Sequence, residues 1–112
     1  MSRRINGLQA WALQRFSAVF LIGFSLYVLL DLSINPVSGY SQWRSWLGQP
    51  LNSVLIMLAS AMLLIHAWVG IRDVIMDYIH PLALRVLVLS LFALGLLASA
   101  AWLATILIKV LV

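Results

Sequence analysis

The chain has 112 residues, of which 64% are hydrophobic and only 9% are charged, with a mean hydropathy of +1.08. A soluble domain is usually about half apolar and about a quarter charged, so this composition leaves too few charges to cover a water-soluble globule. The net charge is +4, but the basic residues are scattered singly and form no patch typical of nucleic-acid binding. The absence of cysteine excludes disulfides, thiolate zinc sites and iron–sulfur ligation by this chain. The composition indicates an integral membrane protein.

Three segments are long and apolar enough to cross a bilayer, whose hydrocarbon core of ~30 Å takes ~20 residues of helix. We predict transmembrane helices over roughly 12–32, 51–78 and 82–111, in one all-α membrane domain that covers residues 1–112. We expect the first segment to be a membrane helix rather than a signal peptide. Its apolar stretch is long, and the residues Leu29 to Ser33 lack a small-x-small cleavage pattern.

The two connections between these helices differ in length. The first, from Ser33 to Pro50, has the Pro, Gly, Asn and Ser content of a loop, and its aromatic residues suit a membrane interface. The second is short, and Pro81 fits the first turn of the last helix because its missing N–H needs no partner there.

The basic residues predict the orientation of the chain in the membrane. One side of the membrane would carry most of them, and the other side would carry only two. The first group is Arg3, Arg4, Arg15, Arg72 and Arg85; the second is Arg44 and Lys109. The positive-inside rule then places the N-terminus in the cytoplasm and the C-terminus outside.

His66 is an ionisable residue in the middle of the second span, where such groups are costly and usually face a bundle interior or a cavity. Three interpretations are open: a hydrogen bond to a neighbouring helix, a proton relay, or a metal or haem ligand. At ~100° per residue, Gly70, Asp73 and Asp77 fall on nearly the same face. We expect a polar stripe there, with Gly70 leaving space for a flat ligand beside the imidazole.

Arg15 lies just inside the cytoplasmic end of the first span. It can snorkel to lipid headgroups, or its planar guanidinium can bind carboxylates. Asp77 and Tyr78 end the second helix on the same side. They are either interfacial residues, with Asp77 paired to Arg72 or Arg85, or the polar end of a pocket, where a tyrosine hydroxyl donates to a carbonyl.

The run Leu64-Ile-His-Ala-Trp-Val-Gly70, followed by Asp77-Tyr-Ile-His-Pro-Leu-Ala-Leu-Arg85, closely resembles the signature of the hydrophobic membrane anchor subunits of bacterial succinate dehydrogenase, respiratory complex II. The resemblance implies the smaller of two cytochrome b-type anchors, each with three transmembrane helices. The partners it implies are the second membrane anchor, an iron–sulfur subunit and a flavoprotein subunit. The assembly would lie in the bacterial inner membrane and pass electrons from succinate oxidation, in the tricarboxylic acid cycle and aerobic respiration, to ubiquinone.

The same resemblance assigns roles to four residues. His66 would be an axial ligand of the iron of haem b, with the second axial histidine coming from the other anchor. Arg15 would approach the haem propionates, and Tyr78 and Asp77 would form part of the ubiquinone site. The chain would belong to an oxidoreductase without itself oxidising succinate.

The sequence has three alternative interpretations. The first is the anchor of a fumarate reductase that uses menaquinone, and the second is a structural membrane subunit without a cofactor. The third, a small multidrug transporter, predicts four spans and an acid buried in the first, whereas this sequence has three spans and its first acid is Asp31.

Overall fold

The computed structural model describes the backbone of residues 2–112 and the side chains from residue 7 onward. Four helices follow one another along the chain: α1 (Ser2–Ile34), α2 (Tyr40–Gly48), α3 (Pro50–Tyr78) and α4 (Leu82–Leu111). Three of them, α1, α3 and α4, are long and apolar enough to span a membrane. The predicted all-α fold with three transmembrane helices is therefore confirmed.

The ends of the long helices follow local sequence signals. Pro50 is the first residue of α3, where a proline costs no hydrogen bond. Pro81 caps α4 from one position outside the helix rather than lying in its first turn. Helix α1 begins well before the predicted position near residue 12, because the prediction followed apolar content and no helix-breaking proline precedes Pro36.

Helix α2 corrects the prediction of an irregular first loop. Gly39 precedes it with a φ of 85°, a conformation that glycine adopts without steric cost. The backbone N–H of Ser38 donates to Oε1 of Gln42 at 2.7 Å, which resembles a capping box at the start of a helix. Of the aromatic residues expected at the membrane interface, Tyr40 and Trp43 are exposed, whereas Trp46 is buried.

Helix α3 is the centre of the molecule. Helices α1 and α4 both pack on α3, and α2 packs on α3 and α4. Within the described residues no Cα atom of α1 comes within 8 Å of a Cα atom of α4. The most apolar stretch of α4 contains no buried residue, so its surface is available to lipid or to another protein. The longest dimension, 49 Å, matches the ~40–45 Å thickness of a bilayer with its headgroups.

Arg85 closes the short connection between α3 and α4. Its Nε donates to the carbonyl oxygen of Ile79 at 2.9 Å, and its Nη2 donates to that of Met76 at 3.2 Å. A cation at a helix C-terminus satisfies carbonyls that lack an intrahelical partner and interacts favourably with the helix dipole. The guanidinium of Arg85 therefore binds the C-terminal end of α3.

Candidate functional site

Helices α1 and α3 meet at three levels, two of them through hydrogen bonds and one through the packing of Gln14 against Gly70, and we call this set the polar seam. Each level pairs one residue of α1 with one of α3. The pairs are Gln14 with Gly70, Ser17 with His66, and Tyr27 with Asn52. Since small and polar residues bring membrane helices together, the seam fixes the register between α1 and α3.

His66 lies at the middle level of the seam and is half-buried. Its Nδ1 is 3.0 Å from Oγ of Ser17, a side chain that is only 1% exposed. One of the three interpretations of His66, a hydrogen bond to a neighbouring helix, is therefore observed with Ser17. Only one ring nitrogen takes part in this bond, so the other, Nε2, is left for a different role.

Gly70 corrects the prediction of open space beside the imidazole. A Cβ atom added at Gly70 would lie 3.1 Å from Nε2 of Gln14, which means that the side chain of Gln14 already occupies this position. Gly70 therefore allows α1 to approach α3 closely and does not leave space for a ligand. The predicted polar stripe is therefore divided: His66 and Gly70 face α1, whereas Asp73 and Asp77 are exposed.

Arg15 is exposed on α1, and its guanidinium lies 5.8 Å from the centre of the Trp11 ring. Positions i and i+2 of a helix point in different directions, so the side chain of Arg15 leaves α1 in a different direction from that of Ser17. Axially, however, Arg15 is only ~3 Å from Ser17, at ~1.5 Å per residue. Arg15 and His66 thus lie at nearly the same depth without contacting each other through this chain.

A cavity of about 340 Å³ lies next to Arg15, between the N-terminal part of α1 and the C-terminal part of α3. Its polar lining residues are Gln14, Arg15, Arg72 and Asp73. The guanidinium of Arg72 is 3.6 Å from the carboxylate of Asp73. The acidic partner of Arg72 is therefore Asp73 and not Asp77. Within the described residues Arg15 has no acidic partner, and its charge is available to an anion.

Asp77 and Tyr78 occupy the last positions of α3, and Tyr78 is 79% exposed. The alternative in which Asp77 pairs with Arg72 or Arg85 is wrong, because Arg72 binds Asp73 and Arg85 binds backbone carbonyls. Tyr78 is therefore an exposed tyrosine at the end of the helix, next in sequence to a carboxylate that the described part of the chain does not neutralise. Along the helix axis the two residues are ~16–18 Å from His66, at ~1.5 Å per residue.

The opposite end of the seam is a hydrogen-bonded cluster that sequence reasoning missed. Asn52 is 1% exposed; it accepts from the hydroxyl of Tyr27 and donates to the carbonyl of Trp46. The indole N–H of Trp46 donates to Asp31 at 2.6 Å. The sequence contains one indication of this cluster. Asn52 is a polar residue near the start of an apolar span, and such a residue usually has a partner inside the protein.

The candidate ligands of this chain limit which cofactors it can hold. Among the described residues there is no group of three or more His, Cys, Asp or Glu side chains close enough to bind a metal ion. A haem iron, by contrast, takes a single axial nitrogen from each side and is otherwise held by its porphyrin. The half-buried imidazole of His66, with its Nδ1 hydrogen-bonded, fits that requirement.

Comparison with known proteins gives a consistent result. Residues 2–108 match a family described as the succinate dehydrogenase/fumarate reductase transmembrane subunit. Three similar proteins are each named succinate dehydrogenase hydrophobic membrane anchor subunit. The one from Coxiella burnetii is 25% identical, over 90% of this chain and 86% of the relative. The one from Rickettsia bellii is 34% identical, over 71% of this chain and 64% of the relative. The one from Rickettsia felis is 28% identical, over 84% of this chain and 81% of the relative.

Proposed function

Because the chain belongs to the succinate dehydrogenase/fumarate reductase transmembrane subunit family, we propose that it is the hydrophobic membrane anchor subunit of a succinate dehydrogenase. The observation that carries this proposal is the match over residues 2–108 together with three spans in one helical chain. The names of the three relatives favour the succinate-oxidising enzyme over fumarate reductase. The subunit is part of an oxidoreductase, and succinate itself is oxidised elsewhere in the complex.

The partners are those that the resemblance to succinate dehydrogenase anchors implies: a flavoprotein that oxidises succinate and an iron–sulfur subunit that carries the electrons to the membrane. This chain has no cysteine, so it does not itself bind iron–sulfur clusters. The exposed apolar surfaces of α1 and α4 are where a second membrane anchor and lipid cover the chain. In this arrangement the N-terminus is in the cytoplasm and the C-terminus in the periplasm, with the soluble subunits on the side of Arg15 and Tyr78.

His66 is the residue of this chain that binds haem b in the proposal. The resemblance implies that a second histidine ligand would come from the other anchor, and the spans of this chain contain no histidine besides His66. When bound, haem supplies one-electron redox chemistry, and the protein supplies position and electrostatics. Arg15 binds the propionate carboxylates with its guanidinium fork; its depth beside His66 and its lack of an acidic partner within the described residues support this role.

Tyr78 and Asp77 form this chain's part of the ubiquinone site. The exposed hydroxyl of Tyr78 donates a hydrogen bond to a quinone carbonyl, and this bond strengthens as negative charge develops on that oxygen. Asp77 is exposed beside it and connects the site to cytoplasmic water, which supplies the protons of the quinol. The ~16–18 Å between this pair and His66 separates the quinone from the haem.

The anchor role is tested by fractionation and co-purification. Deleting the chain should release succinate-to-dye activity from the membrane pellet to the soluble fraction, because the hydrophilic subunits lose their attachment. A tagged chain should retrieve a flavoprotein, an iron–sulfur protein and one further membrane protein, identified by mass, with a haem absorption spectrum. Succinate dehydrogenase activity that stays in the pellet after deletion would contradict the proposal.

A further inference from the structure

Ser17 is nearly inaccessible, at 1% exposure, and lies where α1 meets α3. Its Oγ makes two contacts, each of 3.0 Å: one with the carbonyl oxygen of Gln14 in its own helix and one with Nδ1 of His66 across the seam. Alanine would fill nearly the same volume at this position. What the serine adds to the seam is therefore one oxygen and one hydrogen.

The position of that hydrogen determines the tautomer of His66. A carbonyl oxygen can only accept, so in the contact with Gln14 the hydroxyl of Ser17 is the donor. The single hydroxyl hydrogen is then used, and Oγ accepts the second hydrogen bond from Nδ1–H of the imidazole. A neutral histidine carries one ring hydrogen, which leaves Nε2 with a free lone pair.

We propose that Ser17 is a positioning residue for His66: it fixes the imidazole in the Nδ1–H form and in one orientation, so that Nε2 is the atom presented to the haem iron. This inference rests on the proposed role of His66 as an axial ligand. A metal-bound histidine almost always donates its other ring N–H to a nearby acceptor, which fixes the ring and raises its basicity. Here the acceptor is a hydroxyl that is itself polarised by a helix carbonyl.

The chain of two hydrogen bonds predicts the direction of a redox effect. An imidazole whose Nδ1–H donates to an acceptor is a better electron donor to iron through Nε2. Such donation stabilises the oxidised iron more than the reduced iron, since the oxidised form carries the greater positive charge. Removing the acceptor should therefore raise the midpoint potential of the haem, because hydrogen bonding around the ligand is one of the means by which a protein tunes it.

The test compares variants in the purified four-subunit complex. We expect Ser17→Ala to raise the midpoint potential, shift the low-spin electron paramagnetic resonance signal and weaken haem retention by ~10–100-fold, the usual scale of losing such a partner. Ser17→Thr keeps a hydroxyl that can bond a carbonyl of the preceding turn and should restore the potential. Ser17→Cys keeps the shape but is a weaker acceptor and should give an intermediate shift.

Ser60→Ala is the matched control, because that hydroxyl donates to the carbonyl of Ile56 in its own helix. It should leave the potential and the spectrum unchanged. A potential, resonance signal and haem retention in Ser17→Ala equal to those of Ser60→Ala would overturn the inference. His66→Ala separates this failure from that of the proposed function: haem loss there with no effect of Ser17→Ala refutes only the inference, whereas an intact bis-histidine spectrum in His66→Ala refutes both.

Discussion

At the scale of single residues, the side chains of the site differ in whether they have a partner within this chain. His66 is held from one side by Ser17, whereas Arg15 and Tyr78 have no hydrogen-bond or ion-pair partner among the described side chains. Charged and polar groups in a membrane protein rarely remain without partners. Arg15 and Tyr78, together with the unpaired Asp77, are the residues of this chain that we expect to act on bound molecules.

Arg15 is expected to stabilise haem propionates. Arg15→Leu should lower haem retention or shift the haem midpoint potential, because two carboxylates lose a charge-assisted partner. Arg15→Lys should rescue only in part, since an ammonium group does not reproduce the planar fork. Haem content and redox titration of the purified complex measure both effects.

Arg44→Leu is the control for the loss of an arginine, because Arg44 donates to the carbonyl of Lys109 near the opposite end of the molecule. It should leave the haem unaffected. An Arg15→Leu complex with unaltered haem content and potential would show instead that Arg15 snorkels to lipid headgroups.

Tyr78 is expected to donate a hydrogen bond to the quinone. Tyr78→Phe removes only the hydroxyl, so succinate:quinone reductase activity should fall by ~10-fold or more, which corresponds to ~1.4 kcal/mol or more of transition-state stabilisation. Dye-linked succinate oxidation and haem content should remain, because neither uses this hydroxyl. Tyr40→Phe, at an equally exposed tyrosine before the start of α3, should have no effect; normal quinone turnover in Tyr78→Phe would identify that residue as an ordinary interfacial aromatic.

At the scale of elements, the contact between α1 and α3 is held at one end by Gln14 and Gly70 and at the other by Asn52. Asn52 connects three helices, since it accepts from Tyr27 in α1 and donates to the Trp46 carbonyl in α2. A buried polar group left without its partner costs ~1–3 kcal/mol. The cluster around Asn52 is thus expected to contribute to stability rather than to chemistry.

Asn52→Ala should destabilise the chain by ~1–3 kcal/mol, because Tyr27 and the Trp46 carbonyl lose their partner. The melting temperature of the detergent-solubilised complex measures this, with the haem spectrum expected to stay normal below the transition. Gln9→Ala is the comparison, since Gln9 is an exposed amide near the other end of α1. Equal melting temperatures for the two variants would show that the buried cluster contributes no stability.

The elements also show what the sequence could predict. The length of the apolar segments, together with Pro50 and Pro81, was sufficient to predict α3 and α4, because a bilayer requires uninterrupted helices. The helix α2 was missed because a short amphipathic helix depends on its contacts, here the burial of Trp46 and its bond to Asp31. Likewise, the spacing on α3 placed Gly70 beside His66, but only the register with α1 shows that Gln14 fills that space.

At the scale of the whole molecule, the chain is an open arrangement of helices around α3 that leaves most of its apolar surface uncovered. The motif around His66 and Tyr78 was sufficient to predict the family, which the match over residues 2–108 confirms. Ser17 was not predictable, because a serine inside an apolar span has no visible partner until the helices are assembled. The roles of His66, Arg15, Asp77 and Tyr78 stay predictions.

The most direct test of the central claim is the reduced-minus-oxidised absorption spectrum of the purified complex carrying His66→Ala. We predict loss of haem or of its low-spin bis-histidine spectrum, with succinate-to-dye activity largely retained, because the soluble subunits do not depend on this ligand. His80→Ala, which changes an exposed histidine between α3 and α4, should leave the spectrum intact. An unchanged bis-histidine spectrum and full haem content in His66→Ala would contradict the claim.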